Sequence, residues 1–423
     1  MSIEDAVRWR LQRHPFAIPG LLTLGYLGLR GLNMVELWAA SSAQAATGPA
    51  NPEGRPSEYF VHSPAPAAPG LAGVLANWDG QWYERIATEG YPTAAESHSA
   101  NDAWTWAFPP FFPLMARLVM ALTGLGFPVA AVVLNLALGM VATLLLYGLL
   151  RPHVGTLVAL ASALAVNTFM TAPLFTAAYS EPAALVFLLL ALCATVTRRY
   201  SLALIAVLLL AFTRPIAAPF ALVFVAHAAA RWRDRRHEPF PRVAQLLLVA
   251  CTVVSLVSPL LWNAVAARLF DAAQPLAGRS ESAGVSRTAS MLGTFEFGWF
   301  GGVGRIAGVA GVLLFVAGFT LAVGAAEAAG RRFQLPMELR VWGAAYVVFV
   351  VAVTPVTPGL LRYLLLAAPL LVAVQVLPLT WKARRAGLVA LCTITAVALW
   401  SQWWWIRYLY ILDPAPALLP WPP

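Results

Sequence analysis

The chain has 423 residues, of which 60% are hydrophobic and only 11% charged, with a mean hydropathy of +0.71. Soluble domains carry about a quarter charged residues, so an ordinary soluble domain is excluded. The formal net charge of +9 comes from arginines spread through short segments between apolar runs. With no basic domain to hold a duplex, no nucleic-acid partner is expected.

Apolar runs of roughly 20 residues recur along almost the whole length, each enough to cross a bilayer core of about 30 Å as a helix. The predicted fold class is an all-α polytopic membrane protein; a barrel would show short alternating segments. Cys193, Cys251 and Cys392 lie inside apolar runs. They read as small core residues with neither a disulfide framework nor metal-ligand spacing.

The first apolar segment, about 16 to 40, is followed by "SSAQAATG" and resembles a signal peptide with a small-residue cleavage site. It carries Arg30, Asn33 and Glu36, which suit a helix facing a bundle better than a signal core, and we read it as an uncleaved first span. A long segment, 41–127, comes next. Its first part is rich in Pro, Ala, Gly and Ser and reads as irregular loop. Then "ANWDGQWYERIATEGYP" (76–92) gathers acids, an arginine and large aromatics. Asn77 or Asp79 is expected to cap a helix here. Asp79, Trp82, Tyr83 and Ile86 fall on one face, and Gly90 and Pro92 end the helix. In "AWTWAFPPFFPLMARLVMALTG", Pro113 suits a first helical position. Both segments read as amphipathic helices resting in the membrane interface.

Further helices are predicted at about 128–150, 155–174, 182–197, 200–213, 215–230, 242–268, 303–327, 339–356, 360–380 and 386–406, about eleven crossings in all. Arg214-Pro215 breaks the short pair at 200–230, and broken helices are tolerated in a membrane where they line a cavity. The glycines of "GWFGGVG" (298–304) read as a turn opening a helix, after a second loop at 269–302. The basic clusters Arg8/Arg10/Arg13, Arg151, Arg198/Arg199, Arg231 to Arg236, Arg331/Arg332 and Lys382/Arg384/Arg385 are separated by even numbers of crossings. All can face the cytoplasm together, as positive-inside topology requires. The expected location is the plasma membrane, with a cytoplasmic N-terminus. The opposite, external face collects Glu36, Asp79, Glu84, Glu89, Glu181, Arg214, Arg362 and Arg407. Arginines on that side need an anionic partner or pairing with the external acids.

"NWDGQWYERIATEGYP" resembles the W-D-x-x-W-[FY]-x-x-I-A-x-x-G-Y signature of the second GPI mannosyltransferase family (PIG-V type), part of the GT-C superfamily of lipid-phosphosugar glycosyltransferases. "AFPPFFPLM", "AYSEPAALVF", "FTRPIAAPF" and "RYLLLAAPLL" resemble its later elements in order, over roughly 75 to 370. Met115 stands where Tyr is usual, Pro110 is extra, and Arg214 is followed by Pro; these departures bear on the acceptor more than on the chemistry. The richness in Ala, Arg and Pro points to a bacterial, actinobacterial homologue.

The resemblance implies a GT-C bundle with a catalytic first external loop. It also implies a polyprenyl-phosphate sugar donor, with mannose expected, and a lipid or glycan acceptor. Transfer would invert the anomeric carbon. Asp79 falls where the family's catalytic carboxylate sits, as general base. Arg214, Arg362 and Arg407 are the candidates for the donor phosphate, because charge developing on a leaving phosphate calls for cations aimed at it. Trp78, Trp82, Tyr83, Glu84, Trp104, Tyr179 and Glu181 are candidates to hold sugar or acceptor. No cofactor is expected, and transfer is expected to be metal-independent, although Asp79 with Asp102 or Glu181 offers divalent-metal ligands. "LWSQWWWIRYLY" (399–410) reads as an aromatic belt. The rival class, a multi-span transporter or lipid flippase, predicts internal repeats and midplane charges. No repeat is visible, and Arg30 is the one charge deep in a span.

Overall fold

The computed structural model describes residues 17–46, 66–92, 105–270, 299–332, 335–354, 359–367 and 384–412, and every regular element among them is helical. In chain order these are α1 (Ala17–Ser41), α2 (Gly70–Val74), α3 (Asp79–Thr88), α4 (Phe111–Thr123) and α5 (Phe127–Thr168). A 3₁₀ turn (Ala172–Thr176) leads to α6 (Glu181–Val196), α7 (Tyr200–Ala211), α8 (Phe220–Arg233), α9 (Arg242–Phe270), α10 (Trp299–Arg332) and α11 (Met337–Val353). Last come α12 (Gly359–Leu364) with a 3₁₀ turn (Leu365–Ala367), and α13 (Arg384–Trp405) running into a π turn (Ile406–Tyr410).

The pattern of burial inverts that of a soluble bundle. Along α1, Ile18, Tyr26, Arg30, Asn33, Leu37 and Ala40 recur at helical spacing and are buried. Leu21, Leu24, Leu27, Val35 and Trp38 face outward. Leu246, Val249 and Leu256 on α9 and Leu313, Leu314 and Leu321 on α10 do the same. An outer surface this apolar, around a core that holds arginine and amides, suits lipid as the surrounding solvent.

Arg30 illustrates the inside of that pattern. Its guanidinium donates to the carbonyls of Ala172 and Asn167 and lies over the Tyr26 and Phe175 rings. Asn167 lies in the last turn of α5, where carbonyls lack an intrahelical donor, and Ala172 opens the 3₁₀ turn that follows, so the cation sits at a negative helix end. Asn33 binds Gln402, which in turn donates to the carbonyls of Asn167 and Phe169. The first apolar segment is thereby built into the bundle.

Two described helical segments are long and apolar enough to cross a membrane, Phe127–Thr168 and Arg242–Trp262. Phe111–Thr123, Glu181–Val196, Tyr200–Ala211 and Gly308–Leu321 are apolar but shorter. At 1.5 Å per residue a 12-residue helix such as α7 reaches only about 18 Å. Most of the helix predicted at 360–380 lies outside the described residues, while the other described helices fall near the predicted boundaries, and the lengths do not establish eleven crossings. The two predicted at 128–150 and 155–174 are the two arms of α5. The bend comes at Pro152 and at Gly155, which has non-helical φ +79° and ψ 168°. The arms fold back on each other, Asn167 Nδ2 donating to Thr143 Oγ1 at 3.0 Å.

The bundle has two chemically different ends. At one, α6 finishes, α7 starts and α8 finishes. Here Arg198 pairs with Glu238 at 2.6 Å, Arg231 joins the same carboxylate, and His227 bridges Tyr200 and Glu338. At the other end α6 starts, α7 finishes and α3 docks. Between the ends runs α6, buried almost all round through Ala183, Ala184, Leu188, Ala191 and Leu192, as befits a central helix.

Candidate active site

Proline ends α7: Pro215 has no N–H and disfavours helix at Arg214. The last turn closes with Arg214 N donating to Leu210 O at 2.8 Å. The side chain turns to the start of α6, where Arg214 Nη1 lies 2.8 Å from Glu181 Oε1 and donates to Ser180 Oγ at 3.1 Å. Ser180 Oγ also shares a 2.7 Å hydrogen bond with the Tyr83 hydroxyl of α3. The loop before α6 is pinned from two sides. Asn135 Nδ2 donates to the carbonyls of Ala177 and Tyr179, and Ala178 N donates to Leu75 O.

Against that loop stands α3. A Cβ on Gly80 would sit 3.3 Å from Ala178 O, so the glycine of "WDG" permits the close approach. The approach puts Asp79 beside Arg362 of α12, with Arg362 Nη1 donating to Asp79 Oδ2 at 2.7 Å. Arg362 Nε lies 3.8 Å from Glu181 Oε1. Asp79, Arg362, Glu181 and Arg214 therefore form one chain of alternating charge, exposed by 9%, 6%, 0% and 6% respectively. Asp79 and Glu181 are each the first residue of a helix, the favourable end for an anion.

Aromatic rings wall the chain. The guanidinium groups of Arg214 and Arg362 lie 5.2 and 5.1 Å from the centre of the Tyr363 ring, and that of Arg362 lies 5.7 Å from the Tyr179 ring. Arg362 Nη2 also donates to the Tyr363 hydroxyl at 3.3 Å. Burial raises the phenol pKa values of Tyr83 and Tyr179 above their ordinary range, with Arg214 and Arg362 respectively opposing it. Both stay neutral hydrogen-bonding groups at physiological pH. Burial pulls the Arg214 guanidinium down, but Glu181 and the neighbouring phenols Tyr363 and Tyr83 outweigh it, for a net rise that keeps the cation charged.

The chain is incompletely satisfied. Both Glu181 carboxylate oxygens, Nε of Arg214 and Arg362, and the Tyr179 hydroxyl are buried without an aligned hydrogen-bond partner. The 2.8 Å approach of Arg214 to Glu181 is thus an ion pair without hydrogen-bond alignment. Orphaned polar groups converging on one place mark a site rather than a packed core.

Of the sequence candidates, Asp79, Arg214, Arg362, Tyr83, Tyr179 and Glu181 come together here. The expected capping role of Asn77 or Asp79 is corrected. Trp78 occupies the cap position without a side-chain cap bond, Asp79 turns to Arg362, and Asn77 donates to Gln44 and to Tyr410 O. The contact with the guanidinium is a charge-assisted hydrogen bond between two ionised groups. Trp78, at φ +56° and ψ −116°, donates its indole N–H to Tyr410 O at 2.7 Å. Trp82 is buried and stacks on Phe108 at 6.3 Å. Glu84 is half-buried, its carboxyl pKa raised by desolvation. Arg407 lies on the π turn over the Tyr408 ring, while the four-charge chain is made by other residues. Trp104 and Asp102 lie outside the described residues, as do most of 269–302. Pro113 is the third helical residue of α4 rather than the first, still within the turn whose N–H groups lack helical acceptors. Among the described residues no three His, Cys, Asp or Glu side chains cluster as metal ligands.

Sequence reading missed the supports. Tyr410 was read as part of an aromatic belt, yet it is buried, donates to Val74 O at 2.7 Å and stacks near Tyr179 and Trp405. Trp400 and Tyr408 of the same run do face outward. Asn135, Ser180 and Tyr363 were also missed. Asn135 alone offered a signal, as an amide inside an apolar run.

No protein-family model and no curated protein matches the chain. Among solved structures, the crystal structure of ArnT from Cupriavidus metallidurans bound to undecaprenyl phosphate is similar with a TM-score of 0.47 and 16% identity, over 92% of this chain and 70% of that one. The apo form of the same protein gives a TM-score of 0.44 and 16% identity, over 88% of this chain and 64% of that one.

Proposed function

We propose that the chain is a multi-pass membrane glycosyltransferase that moves a sugar, mannose by the motif resemblance, from a polyprenyl-phosphate donor to a hydroxyl of a lipid or glycan acceptor. The observation that carries the reading is the chain Asp79–Arg362–Glu181–Arg214, which joins the acid of the "WDG" motif to two arginines from distant elements.

Asp79 takes the proton of the acceptor hydroxyl, a contribution of about 10²–10⁴-fold for a positioned base. The acceptor oxygen attacks the anomeric carbon from the face opposite the phosphate. The bond from that carbon to the phosphate oxygen breaks, its electron pair leaves with the lipid phosphate, and the configuration inverts. Arg214 and Arg362 stabilise the charge that develops on the leaving phosphate, and Arg407 serves as a third cation near the lipid. Arg362 links the two halves of the reaction, since it holds the base and faces the phosphate. Tyr83, Tyr179, Glu84 and Glu181 orient sugar and acceptor hydroxyls, with Trp78, Trp82 and Trp104 as flat walls. No metal takes part in this scheme. Positive-inside topology would turn the basic end of the bundle to the cytoplasm, and in this scheme Asp79 acts on the external face of the plasma membrane.

The test is transfer from radiolabelled polyprenyl-phosphate mannose to membrane glycolipid acceptors by purified protein, comparing wild type with Asp79→Asn. Equal transfer by both would remove Asp79 from the mechanism. No transfer with any polyprenyl-phosphate sugar would remove the donor class.

A further inference from the structure

A groove of about 410 Å³ opens between the first arm of α5 and the last turns of α6, lined by Val141, Leu145, Leu149, Cys193 and Val196. Gly148 forms part of its wall, and a Cβ built there meets nothing within 4 Å. The groove is far from the four-charge chain. From Asn135, which holds the loop of Tyr179, to Arg151 at its rim is 16 residues of α5, about 24 Å of helix rise.

Apart from His153 and Thr197, these walls offer almost no hydrogen-bonding groups, so an occupant with polar atoms along its length would bury them unpaired. A hydrocarbon chain would not. The rim has the opposite character. Arg151 immediately precedes the lining residue Pro152, and Arg198 and Arg199 follow the lining residue Thr197. Arg198 is engaged by Glu238 at 2.6 Å. Arg151 and Arg199 are exposed and make no ion pair with described residues. The uncompensated charge at the mouth is therefore positive.

We propose that this end of the bundle binds one anionic phospholipid of the bilayer, its acyl chain in the α5–α6 groove and its phosphate on Arg151 and Arg199. The site shares no residue with the proposed transferase centre and stands or falls independently of it. The donor lipid is a poorer occupant, because a phosphate held by Arg214 and Arg362 lies at the other end of α6.

The test is native mass spectrometry of the full-length protein in detergent, titrated in parallel with phosphatidylglycerol and phosphatidylcholine. One phosphatidylglycerol should be retained with about thirtyfold preference, the contribution of two surface arginines to an anionic headgroup. Gly148→Phe, which fills open space, and the surface pair Arg151→Gln/Arg199→Gln should each abolish the preference. Equal retention of the two lipids by the wild type overturns the proposal. So does a preference that survives in either variant: survival in Gly148→Phe places the lipid outside the groove, and survival in the arginine pair removes the phosphate contact. Displacement of phosphatidylglycerol by polyprenyl phosphate would reassign the groove to the donor.

Discussion

Arg362 and Asp79 are 283 residues apart in sequence, and their side chains meet at 2.7 Å in a buried ion pair. Asp79→Asn keeps an acceptor oxygen for Arg362 and removes the proton-accepting charge. Transfer should fall about 10²–10⁴-fold. The loss of stability should stay below the ~3–5 kcal/mol of a fully broken buried pair. Initial rates and melting temperatures in one detergent check both parts. If Asp79→Asn melts as low as Arg362→Met, the activity loss is structural and the base assignment fails.

Glu181 is the hinge of the charge chain, since both arginines face it. Glu181→Leu leaves the buried Arg214 guanidinium without its carboxylate, while Arg362 keeps Asp79, and should cost about 3–5 kcal/mol. Removing Arg214 at the same time should recover part of that. A double-mutant cycle between Glu181→Gln and Arg214→Gln should give a coupling of about 0.5–3 kcal/mol. Additive melting shifts would mean that the pair contributes nothing as a pair.

The members of this site were legible one at a time, and their partners were not. A carboxylate or an arginine in a chain with 11% charged residues stands out, and the "WDG" and "TRP" contexts place each at a helix end. Which helix ends meet depends on how the bundle packs, so the Asp79–Arg362 pair left no local trace. Arg30 was conspicuous, but its partners are the backbone carbonyls of Ala172 and Asn167, a group that every residue carries. Tyr410 was hidden for another reason. In "LWSQWWWIRYLY" aromatic side chains face both lipid and core, and only the π turn at 406–410 decides that Tyr410 turns inward.

Trp78 carries a backbone conformation that side chains with a Cβ rarely adopt, φ +56° beside the proposed base. Such strain costs about 1–3 kcal/mol and persists where the surroundings impose it. Trp78→Gly relieves it and removes the indole bond to Tyr410 O, which Asn77 still reaches at 3.3 Å. The indole also packs against the cluster of Val74, Leu75 and Tyr410, so the variant should melt lower despite the relieved strain, and transfer should fall at least about tenfold as the turn loosens its hold on Asp79 and the proposed sugar wall is lost. An active Trp78→Gly variant would make the strain incidental.

Arg30 should prove a fold determinant and not a catalytic one. Arg30→Met takes a donor from the carbonyls of Ala172 and Asn167, the second of which keeps Gln402 Nε2 at 3.2 Å, at about 1–3 kcal/mol for the lost buried bonding. The amount of monodisperse protein recovered in detergent should drop sharply, with the remaining folded fraction showing wild-type KM for the donor. A raised KM at wild-type stability would place Arg30 in the binding machinery.

Glu84 separates binding from stability through pH. Burial raises its carboxyl pKa above the ordinary 4.5, so the folded protein holds its proton more tightly than the unfolded chain. The favourable contribution is complete below 4.5 and is lost as pH rises through the folded value. Gln imitates the protonated acid at every pH. Glu84→Gln should therefore melt higher than wild type at pH 7, and the difference should vanish as pH falls below 4.5. If Glu84 orients a substrate hydroxyl, the same variant should raise KM about tenfold or more, the worth of a charged hydrogen bond. A stabilised variant with unchanged KM would leave the carboxylate as a purely unfavourable charge and remove it from the substrate site.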